Sequence, residues 1–175
     1  SSHQFDQAER GFSIRYDAAL DMRMDRRQHL TAADVLKEKS EEALHKIFEQ
    51  FGEVTNAKTL ARTIVQHRAH APIQTIGQLK DALSGIVKGN PNRYLAQVFQ
   101  ALRIVVNDEF GALREMLEQA VQVLNTGGRI AIITFHSLED RLVKNFFRNG
   151  SFDETEADEI FGGRPESPFK LVNRK

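Results

Sequence analysis

One short run, Arg129-Ile-Ala-Ile-Ile-Thr-Phe135, limits the choice of fold more than any other feature of this chain. It is apolar and rich in β-branched residues. The turn Asn125-Thr126-Gly127-Gly128 opens it and His136-Ser137 closes it. A run of this kind, bounded by turn signals, reads as a strand buried on both faces. Before it, Leu95, Val98, Phe99, Leu102, Val105 and Val106, then Leu113, Leu117, Val121 and Leu124, recur at helical spacing. A break near Asp108 to Gly111 divides that stretch into two helices. After the run, Leu138, Leu142, Val143 and Phe146 continue as a helix. Helix, turn, buried strand and helix is the signature of an open, mostly parallel sheet, so the class is α/β. Residues 150–168 read as an exposed loop, and Phe169 to Val172 as a candidate last strand.

The chain ahead of this region has a different character. Residues 1–30 show no sustained period, and Leu20 to Asp25 alternates as a short strand or an extended loop does. From Thr31 the pattern turns helical. Thr31 with Asp34 is a weak capping box, and Ser40-Glu41-Glu42 places a cap and two acids at the positive end of a second helix. Leu44, Ile47, Phe48 and Phe51 form its apolar stripe, and Gly52 stops it. Thr55 is expected to cap a third helix and Thr75 a fourth, which ends in Gly89-Asn90-Pro91-Asn92. The chain thus reads as mostly helical by residue count. A helical block, residues 28–92, is inserted into an α/β domain formed by residues 1–27 and 93–175.

Composition removes several classes of function. The chain has 175 residues and no cysteine, so disulfide scaffolds, cysteine zinc sites and a cysteine nucleophile are excluded. No apolar run approaches the roughly 18 residues of a membrane span, and Ser1 to Asp6 lacks a signal pattern, so a cytoplasmic location is expected. Lysine plus arginine and aspartate plus glutamate each total 24, so any nucleic-acid site must come from local clustering. Arg10, Arg15, Arg23, Arg26 and Arg27 are clustered in this way, and residues 153–159 carry five carboxylates. The plainer reading of both clusters is solvated surface, as charge runs usually are.

Sites on parallel sheets lie at the carboxyl ends of strands, which points to Thr134 to Ser137. His136 is a candidate base there. Ser137, Glu139 and Asp140 are candidate polar groups, but Ser137 with Asp140 also reads as a helix cap and its acid, and Glu139 favours a first turn. No Gly-x-Ser-x-Gly elbow supports a triad, and no glycine-rich phosphate cradle is present. His67 and His70 have ligand spacing but no third partner, so no metal is assigned.

Several strings resemble the ribosomal small-subunit methyltransferase H family, also called MraW or RsmH. They are Ser1-Ser2-His3-Gln4 with Phe5-Asp6, Glu9-Arg10-Gly11-Phe12-Ser13, and Leu20-Asp21-Met22-Arg23-Met24-Asp25. Further along come Phe99-Gln100-Ala101-Leu102-Arg103-Ile104 with Asn107 and Glu109, then Gly127-Gly128-Arg129, and last Phe135-His136-Ser137-Leu138-Glu139-Asp140-Arg141. They occur in the family's order over most of the chain.

The resemblance implies a partial class I, Rossmann-like methyltransferase domain with an inserted all-helical domain. It implies transfer of a methyl group from S-adenosylmethionine to the N4 amine of a cytosine in small-subunit ribosomal RNA. The partner would be that RNA or the assembled small ribosomal subunit. The family's glycine-rich cofactor loop would lie ahead of Ser1, and its C-terminal segment beyond Lys175. The chain would then be a piece of such an enzyme, a poor cofactor binder and inactive by itself, with Gln4 its one matching cofactor contact.

Cytosine N4 is a weak nucleophile because its lone pair is delocalised into the ring. Catalysis is therefore mostly positioning of the amine, and the base must be unstacked and held in a pocket. On this reading Ser2, His3 and His136 orient the amine or take its proton, and Phe135 packs on the base. Arg10, Arg23, Arg26 and Arg27 contact phosphates, unless Asp21 or Asp25 takes Arg23 instead. Two alternatives stand beside it. One is an inactive fragment whose helical block only binds RNA or ribosomes, and the other is an amino-methyltransferase acting on DNA.

Overall fold

The structure is a computed structural model, and it describes Gly11, Ser13, residues 17–150, Phe152, Ser167, Phe169, Lys170 and Val172. Seven helices are present among these residues: α1 Ala32–Glu38, α2 Glu41–Gln50, α3 Ala57–Arg68, α4 Ile76–Leu83, α5 Pro91–Asn107, α6 Glu109–Val123 and α7 Ser137–Asn149. The chain packs as two compact units, Ser1–Glu109 and Phe110–Lys175. Among the described residues, no helix is long and apolar enough to cross a membrane.

In the first unit, helices α1 to α5 enclose one core. Leu44 and Phe48 of α2, Leu60 and Ile64 of α3, Leu79 and Leu83 of α4, and Val98 and Leu102 of α5 are fully buried. Each such side chain contributes about 1.5–3 kcal/mol by leaving water. The expected caps on three of these helices form. Thr31 accepts from the Asp34 N–H while Asp34 takes the Thr31 N–H, and Ser40 and Thr75 cap α2 and α4. Thr55 does not cap α3. Asn56 stands at that position without a side-chain cap, because its amide donates to Ile86 O and its oxygen accepts from the Tyr94 hydroxyl. Gly52 has a packing reason beyond stopping α2: a Cβ there would lie 2.8 Å from the Gln97 carbonyl of α5.

Residues 18–22 belong to this same core. Leu20 and Met22 are buried, and the carbonyls of Leu20 and Asp21 accept from the first N–H groups of α1. A single antiparallel bridge joins Ala19 to Thr75, so Leu20 to Asp25 is an extended loop rather than a strand.

The second unit packs α6 against α7 through Leu117, Val143 and Phe146. The Phe146 ring stacks on Phe152 at 4.5 Å, and Phe147 meets Phe169 edge-on at 5.0 Å. The expected strand at 129–135 does not form here, nor does one appear among the described residues of 169–172. A parallel strand takes its backbone hydrogen bonds from neighbouring strands, and the described residues contain none. The side chains still alternate: Ile130, Ile132 and Thr134 are half-buried, while Ile133 and Phe135 are 82% and 90% exposed. The expectation of burial on both faces is thereby corrected to burial on one.

Candidate functional site

The arginine loop, residues 21–28, is held by two local clamps. Arg23 donates from Nε to Asp21 Oδ1 at 2.7 Å and from Nη2 to Oδ2 at 2.9 Å, while Nη1 reaches Gln28 O at 2.8 Å. Its hydrogen bond to Asp21 raises the guanidinium pKa further. Arg27 repeats the pattern with Asp25, donating from its backbone N–H and from Nη2, at 2.9 and 2.7 Å. Those bonds from Arg27 hold the Asp25 carboxyl down at about 2. The two clamps differ in exposure. The Arg23 side chain is 23% exposed and the Arg27 side chain 91%, and Arg26 is exposed as well. The loop therefore presents Arg26 and Arg27 to solvent and spends Arg23 on its own shape.

The loop is also fastened to the end of α5. Asn107 Oδ1 accepts from the Met24 N–H at 2.7 Å, and Asn107 Nδ2 donates to Met22 O at 2.8 Å. Gln28 Nε2 donates to Val106 O at 3.0 Å. One turn back on α5, Arg103 holds Glu109 through two bonds, at 2.7 and 3.2 Å. Two stretches far apart in sequence, Leu20 to Asp25 and Phe99 to Glu109, therefore form one hydrogen-bonded node.

In the second unit, the start of α7 is built around His136. Its side chain is the N-cap, so the expected cap at Ser137 with Asp140 is shifted by one residue. His136 Nδ1 accepts from the Glu139 N–H at 3.3 Å, and the Glu139 carboxylate accepts from the Phe135 N–H at 3.0 Å. Asp140 is drawn instead to Lys144, one turn on. The bond from the Glu139 N–H occupies Nδ1 as an acceptor and leaves Nε2 on the far side of the ring. Nε2 is buried and has no hydrogen-bond partner. Glu139 Oε1 lies 3.2 Å away, near enough for ion pairing but off the line a hydrogen bond requires. The Phe110 ring packs edge-on against the imidazole at 6.0 Å. Phe135 precedes His136, yet its ring is 90% exposed.

Of the residues singled out in the sequence, Ser2, His3, Gln4 and Arg10 lie outside the described residues. Arg23, Arg26 and Arg27 lie together on one loop. Clefts lined by described residues include one of about 740 Å³ beside Lys37, Arg68 and His70, and one of about 910 Å³ beside Gly127, Ile132 and Phe169. His136 lines neither. No described residue was singled out as a contact for a methyl donor. Sequence reasoning gave no role to Asn107, Gln28 or the Arg103–Glu109 pair. Asn107 and Glu109 were visible only as fixed letters of a motif.

The whole chain, residues 1–175, matches the MraW methylase family. It is 53% identical to a protein of Cytophaga hutchinsonii named ribosomal RNA small subunit methyltransferase H, over 99% of this chain and 58% of that protein. Proteins of the same name from Azobacteroides pseudotrichonymphae and Flavobacterium johnsoniae are 52% and 48% identical, over 100% and 99% of this chain and 58% of each relative. The chain thus spans a little over half the length of these relatives.

Proposed function

Because the chain belongs to the MraW methylase family, we propose that it is the central and later part of an enzyme that methylates the N4 amine of a cytosine in small-subunit ribosomal RNA. S-adenosylmethionine is the proposed methyl donor. Its cradle is assigned to a part of such enzymes that this chain does not span, with Gln4 the one contact supplied here.

The observation that carries the reading is the match along 99% of the chain to relatives named for that RNA. The geometry supports it at two places. A buried nitrogen without a hydrogen bond costs about 1–3 kcal/mol, and such groups persist where a site uses them. His136 Nε2 is one, and it adjoins Phe135, whose exposed ring is available to pack on an unstacked base. Ser2, His3 and His136 are assigned to orienting the amine or taking its proton, and Phe135 to holding the base. Arg10, Arg26 and Arg27 are assigned to phosphates. Arg23 acts there through the shape it gives the loop, with Asp21 as its standing partner.

The helical residues 28–92 are proposed as an insert between residues 1–27 and 93–175 of a Rossmann-like domain, in a cytoplasmic enzyme. In support, Asn107 binds Met22 and Met24, so segments on either side of residues 28–92 meet.

A substrate panel tests the reading. The intact enzyme, given methyl-labelled donor, is expected to label small ribosomal subunits or their RNA and to leave duplex DNA unlabelled. Label in DNA instead would favour the amino-methyltransferase alternative, and no label in any substrate would favour a binding module.

A further inference from the structure

We propose that Asn107 is a positioning residue for RNA binding, holding the arginine loop in its working shape; the RNA half of this rests on the function proposed above. Met22 has φ 60, in the left-handed region that a long side chain rarely adopts, and it is fully buried. Strain of this kind costs about 1–3 kcal/mol and persists only where the surroundings enforce it.

The side-chain amide of Asn107 does the enforcing. It uses all four of its hydrogen-bonding capacities. Nδ2 donates to Met22 O at 2.8 Å and to Arg103 O at 2.9 Å. Oδ1 accepts from the Met24 N–H at 2.7 Å and from Gln28 Nε2 at 3.3 Å. The amide thus stands in for a neighbouring peptide group, taking the carbonyl before Arg23 and the N–H after it. The residue between those two bonds is Arg23, whose guanidinium closes the loop on Gln28 O. Arg26 and Arg27 sit within the loop so closed. Asn107 is itself held in place because α5 ends there, with Asp108 turning left-handed at φ 45. Neither aspartate nor alanine can replace the amide. Alanine removes every bond, and a carboxylate would face two carbonyl oxygens.

The test compares Asn107→Ala with Leu60→Ala in the intact enzyme. Leu60 is fully buried on α3, so its truncation lowers stability without removing a loop bond. Two readouts are taken: hydrogen exchange at the Met24 amide, and KM and kcat for small-subunit RNA. Asn107→Ala is expected to speed Met24 exchange at least about 100-fold, the loss of a part-buried bond that pins the loop. It is expected to raise KM for RNA about 10-fold while kcat changes less than about twofold, the pattern of lost uniform binding. Leu60→Ala is expected to lower the melting temperature while leaving KM near wild type. Unchanged Met24 exchange in Asn107→Ala overturns the proposal, as does an equal rise of KM in both variants. If the wild-type enzyme methylates no RNA, the function proposed above fails, and the exchange result still decides the loop.

Discussion

Replacing His136 by asparagine separates two things the imidazole does. As N-cap of α7 it supplies one acceptor for the Glu139 N–H, and asparagine caps at least as well. The remainder of the ring costs stability. Nε2 is buried without a hydrogen bond, with Glu139 Oε1 3.2 Å away but misaligned, at a cost of about 1–3 kcal/mol. Against this, the edge contact with Phe110 at 6.0 Å is worth about 0.5 kcal/mol. The balance favours His136→Asn by about 0.5–2.5 kcal/mol. In a chain of this size that is a rise of a few degrees, at about 2–4 °C per kcal/mol. If the ring orients the amine or takes its proton, single-turnover methylation of small-subunit RNA falls by about 100-fold or more in the same variant. His136→Ala loses the cap as well and melts about 1 kcal/mol below His136→Asn. The assays are a thermal melt and a single-turnover time course on each variant. A His136→Asn protein that melts well below wild type would show that Nε2 has a partner. One that keeps wild-type turnover would remove His136 from the site.

Four further outcomes follow from the geometry. Gly11, at φ 71, is backed against the Ala19 carbonyl, 2.2 Å from where a Cβ would stand; Gly11→Ala is expected to destabilise by more than about 2 kcal/mol in urea titration, while Gly85→Ala, with open space around it, is expected to be tolerated. Thr31→Ala removes a capping box and should cost about 1 kcal/mol. The Thr31 hydroxyl and N–H lower the Asp34 pKa from 3.8, so their support is complete above that value and fades as pH falls through the lowered one; Thr31→Ala should flatten acid denaturation there. Arg26→Ala should weaken RNA binding and make the log–log salt slope shallower by up to about 0.7–0.9, and Arg27→Ala should change it by less, because Asp25 already pairs with its guanidinium; Arg23→Ala should weaken binding at an unchanged slope, because its guanidinium is spent on Asp21 and Gln28.

The sequence was most informative where structure is decided locally. Thr31, Ser40 and Thr75 each sit three residues from the N–H they cap, and all three helices begin as their letters indicate. Local signals misled where a side chain answers to a distant partner. Asn56 gives up its cap for Ile86 and Tyr94, which lie 30 and 38 residues further along. At α7 the histidine took the cap from the serine because its Nδ1 reaches the Glu139 N–H, a choice that propensity does not foresee. The run 129–135 carries strand composition, but composition does not supply neighbouring strands. It keeps the alternation of a strand without its ladder. In the candidate site, clustering pointed to Arg23, Arg26 and Arg27 as equals. Only coordinates separate the one that braces the loop from the two it displays. The role of Asn107 lay in bonds spanning 83 and 85 residues, which no single-sequence pattern records.

The reading as a cytosine methyltransferase is tested most directly on the product. Small ribosomal subunits lacking the modification would be incubated with the intact enzyme and labelled donor, and their RNA digested to nucleosides for mass analysis. The account predicts one labelled nucleoside, a cytidine whose exocyclic N4 carries the methyl group. Label on a ring carbon, a ribose hydroxyl or a purine would contradict it.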